Sequence, residues 1–280
     1  LLPIPGEDEQ AYRDEGYDPA TDKIGSAGVE ATYEDVLRGQ KGEQVVEADV
    51  LGRVRRVVEE RTAPVPGENV HLTLDMELQQ AAHEALELGL AEATSPRGAA
   101  IAMNPQTGEI LAMASLPTYD NNVFVKGVSQ RDLERWDDVH RPLFNHAVQV
   151  AVPPGSVFKV VVASAGLQEG VLTPQTSLSC PGQIVVPNKY YPNDPGYAQP
   201  FYCWERAGHG VLDVVGGIAN SCDVFFYKMG GGFEETDFDG LGVERIAEYS
   251  RLFGLGEPTG VELPAEGAGL VPTADWKRHT

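Results

Sequence analysis

The sequence predicts an α+β fold in which helices pack on an antiparallel sheet, and three observations carry that prediction. A hairpin signature, Asn104-Pro105-Gln106-Thr107-Gly108-Glu109, stands between two apolar runs at 99–103 and 110–114. Apolar residues at helical spacing fill the stretch before it, from 76 to about 93. From Pro154 onward, helix-like runs over 156–169, 211–229 and 242–253 dominate. Strands followed by a block of helices is the pattern of segregated α+β layers.

Residues 1–66 form a charged, turn-rich first part, with Gly6, Gly16, Pro19, Gly25, Gly28, Gly39 and Gly42 interrupting each candidate element. One stretch there, 28–39, reads as a short amphipathic helix with Val29, Tyr33, Val36 and Leu37 on one side and Gly39 as its stop. After it, 45–58 alternates imperfectly, as strands would. The turn-forming Pro64-Val65-Pro66-Gly67 marks a boundary, so a second part is expected over 67–280. Val70-His71-Leu72-Thr73-Leu74 alternates with period two and reads as a strand. Asp75 then caps the helix carrying Leu78, Ala82, Ala85, Leu86 and Leu90.

The chain has 280 residues, 42% of them hydrophobic, enough apolar material for one large or two ordinary cores. With 42 acidic against 21 basic residues and a formal charge of −21, it lacks the basic surface that phosphate backbones require, so no nucleic acid is expected as partner. The longest apolar stretch, 160–167, is far short of the roughly 20 residues of a membrane helix. The chain opens on Leu1-Leu2-Pro3 with no initiator Met and no basic segment before an apolar one. It is therefore expected to be a piece of something longer whose anchor lay upstream.

Chemistry concentrates in Pro153-Pro154-Gly155-Ser156-Val157-Phe158-Lys159. Pro-Pro-Gly forces a turn, which places Ser156 at a helix start, where unpaired N–H groups favour developing negative charge. Lys159 follows on the same face, within reach of the hydroxyl. A serine becomes a nucleophile when a base takes its proton, and a lysine serves as that base if burial or a nearby cation lowers its pKa. A serine cap followed by a lysine also arises by chance, so the pair gains weight from a second element, Asn220-Ser221-Cys222-Asp223-Val224-Phe225-Phe226-Tyr227. There Ser221 and Asp223 can face one cleft while the aromatics enter the core. S-x-x-K and S-D-N, with K-T-G, sign penicillin-interacting enzymes, and here aspartate stands where the second triplet has asparagine. A plain helix N-cap at Ser221 or Asp223 is the structural alternative.

With these motifs in order, the chain resembles the class B penicillin-binding proteins of the rod-elongation type. Gly28-Val29-Glu30 with 33–39 resembles the end of that family's non-catalytic pedestal, or dimerisation, domain. Leu72-Thr73-Leu74-Asp75, 104–115, Leu143-Phe144-Asn145-His146-Ala147 and Pro153-Pro154-Gly155-Ser156 resemble the opening of its transpeptidase domain. The resemblance implies the penicillin-binding-protein/serine β-lactamase-like fold, in part, and peptidoglycan D,D-transpeptidation. Ser156 would attack the penultimate D-Ala carbonyl of a stem peptide, with Lys159 as base, Ser221 relaying a proton to the leaving nitrogen and Asp223 holding the cleft's hydrogen bonds. β-Lactams would acylate the same serine. A penicillin sensor or silent penicillin-binding module is the rival reading; a serine β-lactamase would need a water-activating base that the sequence does not offer. No Lys-Ser/Thr-Gly occurs, and Lys228-Met229-Gly230 follows Asp223 on the same expected helix. The implied expectation is that the segment alone is inactive and its parent an enzyme at the outer face of the cytoplasmic membrane. A polytopic glycan-polymerising glycosyltransferase is the implied partner.

Cys180, Cys203 and Cys222 all fall between or within these motifs, with His209 among them at separations of 23, 6 and 13 positions. Three thiols and an imidazole suit tetrahedral zinc, although the spacing follows no finger rule. A Cys180–Cys203 disulfide with Cys222 buried is the competing reading. The resemblance favours structural zinc on Cys180, Cys203, His209 and Cys222, tethering the second catalytic motif. The aromatic loop 190–202 reads as either a groove lining or a packed loop, and Trp136 with Asp137-Asp138 carries no assigned chemistry.

Overall fold

The computed structural model describes residues 2–136, 139–188, 190–232 and 239–279, so Asp137 and Asp138 lie outside the described residues. The chain divides into two compact units, 1–150 with 260–267, and 151–259 with 268–280. Every strand pairing is antiparallel, as expected, but the strands form five two-stranded ladders among the described residues rather than one wide sheet. Among the described residues, no helix is long and apolar enough to cross a membrane.

The first unit begins with β1 (Leu2–Pro3), α1 (Glu9–Asp14) and β2 (Lys23–Ile24), β1 pairing with β2. The amphipathic helix expected over 28–39 is two short ones, α2 (Gly28–Thr32) and α3 (Glu34–Leu37). The break falls at Tyr33, whose backbone leaves helical geometry at φ −114° and ψ 24°. Its ring hydroxyl donates to Glu262 at 2.7 Å, while Glu34 accepts from Tyr17 Oη and Gly25 N–H. These long-range polar ties outweigh helix continuity. The alternating stretch is a hairpin of β3 (Glu43–Ala48) and β4 (Val54–Thr62), turning where Gly52 N–H donates to Asp49 C=O.

Asp75 caps α4 (Met76–Ala93) as expected, its carboxylate accepting from Glu77 and Leu78 N–H. The helix packs on the hairpin β5 (Gly98–Met103) and β6 (Ile110–Leu116). Gln79 completes the outer edge of β6 by pairing both ways with Met113, at 2.9 and 2.7 Å. Period two governs β6, with Ala112, Ala114 and Leu116 buried. The apolar run of β5 is not wholly buried: Ile101 and Met103 are about half exposed, because α4 covers one face of the ladder. Residues 70–74 are not a strand. They follow β6 through Thr73 Oγ1 and Asp75 N–H, which donate to the Ile110 and Leu111 carbonyls without a regular ladder. Short helices α5 (Val123–Lys126) and α6 (Gln130–Arg135) follow, and the Trp136 ring stacks on Phe124 at 5.6 Å, a packing role.

The second unit is built round α7 (Phe158–Gln168), which buries Val161, Val162, Ala163 and Ala165. Two ladders follow. The strand β7 (Leu178–Cys180) will pair with β10 (Gly210–Leu212), and between them β8 (Gln183–Val186) pairs with β9 (Gln199–Tyr202), so part of the aromatic loop is strand. The helix expected over 211–229 is β10, then α8 (Val214–Ala219) and α9 (Asp223–Gly231), broken at Asn220-Ser221-Cys222. The core joins α7 and α9 with α10 (Gly242–Leu252) through Val224, Phe225, Met229 and Tyr249. Gly217 lets α8 meet α9, since a Cβ there would lie 2.8 Å from the Phe225 ring. A last helix, α11 (Ala274–His279), ends the described chain.

Candidate active site

Four side chains from two breaks in helix meet in the second unit. Gly155 takes φ +60°, a left-handed turn that a Cβ disfavours, and a single 3₁₀ turn over Gly155–Val157 then leads into α7. This puts Ser156 on the first turn and Lys159 one turn along, with Nζ 3.2 Å from Ser156 Oγ. The second break is a Schellman motif closing α8. Cys222 N–H donates to Gly217 C=O and Ser221 N–H to Ile218 C=O, both at 2.9 Å, leaving Ser221 in the left-handed position at φ +47°. Glycine usually occupies that position, because a Cβ there costs about 1–2 kcal/mol. Strain of this kind persists where surrounding contacts over-determine it and where function uses it.

Those contacts centre on Lys159. Its Nζ lies 2.7 Å from Ser221 C=O, 3.0 Å from Ser221 Oγ and 2.6 Å from Asp223 Oδ1, so its three N–H groups are shared among these acceptors and Ser156 Oγ. The bond to Ser221 C=O satisfies the carbonyl of the left-handed residue that follows the cap of α8. Ser221 Oγ lies 2.9 Å from Ser156 Oγ, so the two hydroxyls and the amine form a closed triangle. The Lys159 and Asp223 side chains are 13% and 25% exposed, so their ion pair is largely shielded from water. Sequence reasoning looked for burial or a cation beside the lysine; burial is present, but the charged neighbour is a carboxylate, that of Asp223. The Lys159–Asp223 pair thus lies directly beside the Ser156 hydroxyl, with Nζ within hydrogen-bond reach of both Ser156 Oγ and Asp223 Oδ1. Asp223 opens α9, and its second oxygen accepts from Trp204 N–H at 3.0 Å.

Trp204 is the residue that sequence reasoning missed. Its indole N–H donates to Asn220 C=O at 2.9 Å, and its ring meets the His209 ring edge-on at 5.2 Å. The one signal was adjacency to Cys203 in Cys-Trp.

All four residues singled out as metal ligands converge. Cys203 N–H donates to Gly182 C=O just beyond the β8–β9 ladder, which brings Cys203 beside Cys180. The pairing of Gly210 with Cys180 across β10 and β7 brings in His209, and Cys222 caps α9. The three sulfurs and a His209 nitrogen lie within 4.8 Å of one another, and all three cysteines are buried as free thiols, without the disulfide. Cys203 Sγ is 3.9 Å from Cys222 Sγ, and His209 Nδ1 is 3.5 Å from Cys203 Sγ and 3.7 Å from Cys180 Sγ. Tetrahedral zinc with its usual bond lengths sets sulfur–sulfur edges of about 3.8 Å and sulfur–nitrogen edges of about 3.6 Å. The donor set and its spacing thus fit that ion.

Electrostatics fit as well. Burial opposes ionisation of Cys203, but backbone N–H groups of Val224, Glu205 and Asp223 aimed at its sulfur bring the thiol below its ordinary value. Burial, helped by the neighbouring thiols, pushes Cys222 up to about 12. A cation among the sulfurs would offset the burial that disfavours the Cys222 thiolate.

Comparison with known proteins gives a consistent picture. Residues 98–280 match the family pattern described as penicillin binding protein transpeptidase domain, and residues 2–72 match penicillin-binding protein dimerisation domain. The chain is 38% identical over 259 residues to the peptidoglycan D,D-transpeptidase MrdA of Haemophilus influenzae, covering 92% of this chain and 36% of that protein. It therefore spans little more than a third of such curated relatives. Among solved structures it superposes on a chain from work on the coordination of polymerization and crosslinking by a peptidoglycan synthase complex. The TM-score is 0.78 at 37% identity, over 99% of this chain and 46% of the other. A complex between penicillin-binding protein PBP2 and MreC from Helicobacter pylori superposes with a TM-score of 0.76 at 30% identity, over 98% and 46%.

Proposed function

Because the chain belongs to the penicillin-binding protein transpeptidase family, we propose that the full-length protein containing it is a peptidoglycan D,D-transpeptidase of cell-wall elongation, acting through an acyl-serine. The observation that carries this reading is the triangle of Ser156, Lys159 and Ser221 backed by Asp223. As the stem-peptide carbonyl approaches, Nζ passes a proton to Asp223 Oδ1 and, with its lone pair freed, takes that of Ser156 as Ser156 Oγ forms the new C–O bond. Collapse of the tetrahedral adduct breaks the C–N bond, and Ser221 Oγ delivers a proton to the leaving D-Ala nitrogen, replenished from Lys159. A stem-peptide amine then takes the acyl group and Ser156 recovers its proton by the reverse path; water in place of the amine gives carboxypeptidation. β-Lactams enter by the first step and remain as esters.

Cys180, Cys203, His209 and Cys222 would hold zinc in a structural role. Bound there, the ion supplies charge neutralisation and a rigid tether, fixing Cys222 between Ser221 and Asp223. The pedestal part is read as ending near Pro66, with the catalytic part beyond it. Action at the outer face of the cytoplasmic membrane follows from the substrate. Partnership with a glycan-polymerising glycosyltransferase is supported by the likeness to a chain of a synthase complex.

The test is D-Ala release from a pentapeptide substrate by the full-length protein. Release that disappears in Ser156→Ala is expected. Trapping of penicillin without any peptide turnover would make the protein a sensor.

A further inference from the structure

We propose that Trp204 is a positioning residue of the catalytic turn, holding Ser221 and Asp223 in register through two separate hydrogen bonds. The inference rests on the transpeptidase reading and adds to it a residue that touches no substrate. Asn220 and Ser221 follow the last residue of α8, and the carbonyls of both are closed by side chains from other segments of the unit. Ser221 C=O is taken by Lys159, and Asn220 C=O by the Trp204 indole N–H at 2.9 Å. The same residue's backbone N–H donates to Asp223 Oδ2 at 3.0 Å, which leaves Oδ1 facing Lys159. One residue thus grips the strained turn on both sides of Ser221.

Burial does not account for Trp204. The residue is 62% exposed, and it is absent from the core round α7 and α9. What orients it is polar and local: the two donated bonds, the edge-on contact with His209 at 5.2 Å, and its place directly after Cys203 in the thiol cluster. Cys203 fixes the backbone from which both bonds start. The Cys203-Trp204 dipeptide therefore runs from the cluster to the catalytic turn, and the left-handed Ser221, which its own sequence does not favour, is held from that side as well as by the Schellman bonds.

Trp204→Phe keeps a ring beside His209 and the backbone bond to Asp223, and removes the indole bond alone; Trp204→His restores an N–H donor of similar reach. In the full-length protein, stopped-flow acylation by a chromogenic cephalosporin separates the acylation rate constant from the preceding binding constant. Loss of one hydrogen bond on the reacting turn predicts a five- to twenty-fold lower rate constant in Trp204→Phe, roughly. Binding is expected within about twofold of wild type, with metal content and melting temperature unchanged, and Trp204→His is expected to regain most of the rate. Weaker binding at an unchanged rate constant would make Trp204 a substrate contact and overturn the proposal, as would no change in either. A Trp204→His variant as slow as Trp204→Phe would also overturn it. If wild type itself is not acylated, the transpeptidase reading fails first; an acylated wild type with an unaffected Trp204→Phe sinks this inference alone.

Discussion

Replacing Ser221 separates the strain of its backbone from the chemistry of its hydroxyl. The residue holds φ +47° at a position that favours glycine, at a cost of about 1–2 kcal/mol. Its hydroxyl is bonded to Lys159 at 3.0 Å and to Ser156 at 2.9 Å. Deleting that hydroxyl from a partly exposed site costs about 1 kcal/mol. Ser221→Ala loses the hydroxyl and keeps the strain, so it should be less stable than wild type by about 1 kcal/mol. Ser221→Gly loses the hydroxyl and sheds the strain, while the freedom of glycine in the unfolded chain takes back about 0.5–1 kcal/mol. The glycine variant should therefore be the more stable of the two by about 1 kcal/mol, which thermal melts read as about 2–4 °C. Both should be slower in acylation by about 10²–10⁴-fold, the usual worth of a positioned proton relay. A Ser221→Gly protein that melts below Ser221→Ala would refute the strain argument. Either variant acylating at the wild-type rate would refute the relay.

Four further outcomes are expected. Metal analysis of the reduced protein should find about one zinc per chain, lost in Cys222→Ala. Since the Cys222 thiol is pushed up to about 12, zinc capture must expel its proton and should weaken as pH falls, measurable as proton release in calorimetry. His146 is buried with Nε2 lacking a partner among the described residues, and burial, aided by Arg97 and Arg141, lowers its pKa. The unfolded chain then takes up that proton first, so stability is full above about pH 6.5 and falls as pH drops through the folded value; His146→Gln should flatten the acid limb of melting temperature against pH. Asp75→Ala removes two cap bonds of α4 and should cost about 1 kcal/mol in denaturant titration, with acylation unchanged.

What could be read in advance followed local chemistry. Asp75, the helix after it and the 99–114 hairpin announce themselves by a cap, a period and a turn, each needing no distant partner. Ser156 and Lys159 were equally legible, because three residues of helix set their distance. What escaped was non-local. The break at Tyr33 depends on Glu262, far along the chain, and the half-open face of β5 depends on which side α4 covers. The break in the expected 211–229 helix falls at Asn220-Ser221-Cys222 and is fixed by a left-handed serine held from α7, a contact that the local sequence does not specify. Lys159 facing a carboxylate rather than a cation follows from the meeting of two distant segments, and so does the grip of Trp204. The thiol cluster was legible as composition alone; its convergence is the product of two ladder registers.

The account stands on Ser156 as the atom that carries the acyl group. Peptide-resolved mass spectrometry of the full-length protein after incubation with benzylpenicillin measures this directly. The account predicts one penicilloyl adduct per chain, on the peptide containing Ser156, and none in Ser156→Ala. An adduct mapped to another residue, or undiminished in that variant, would contradict it.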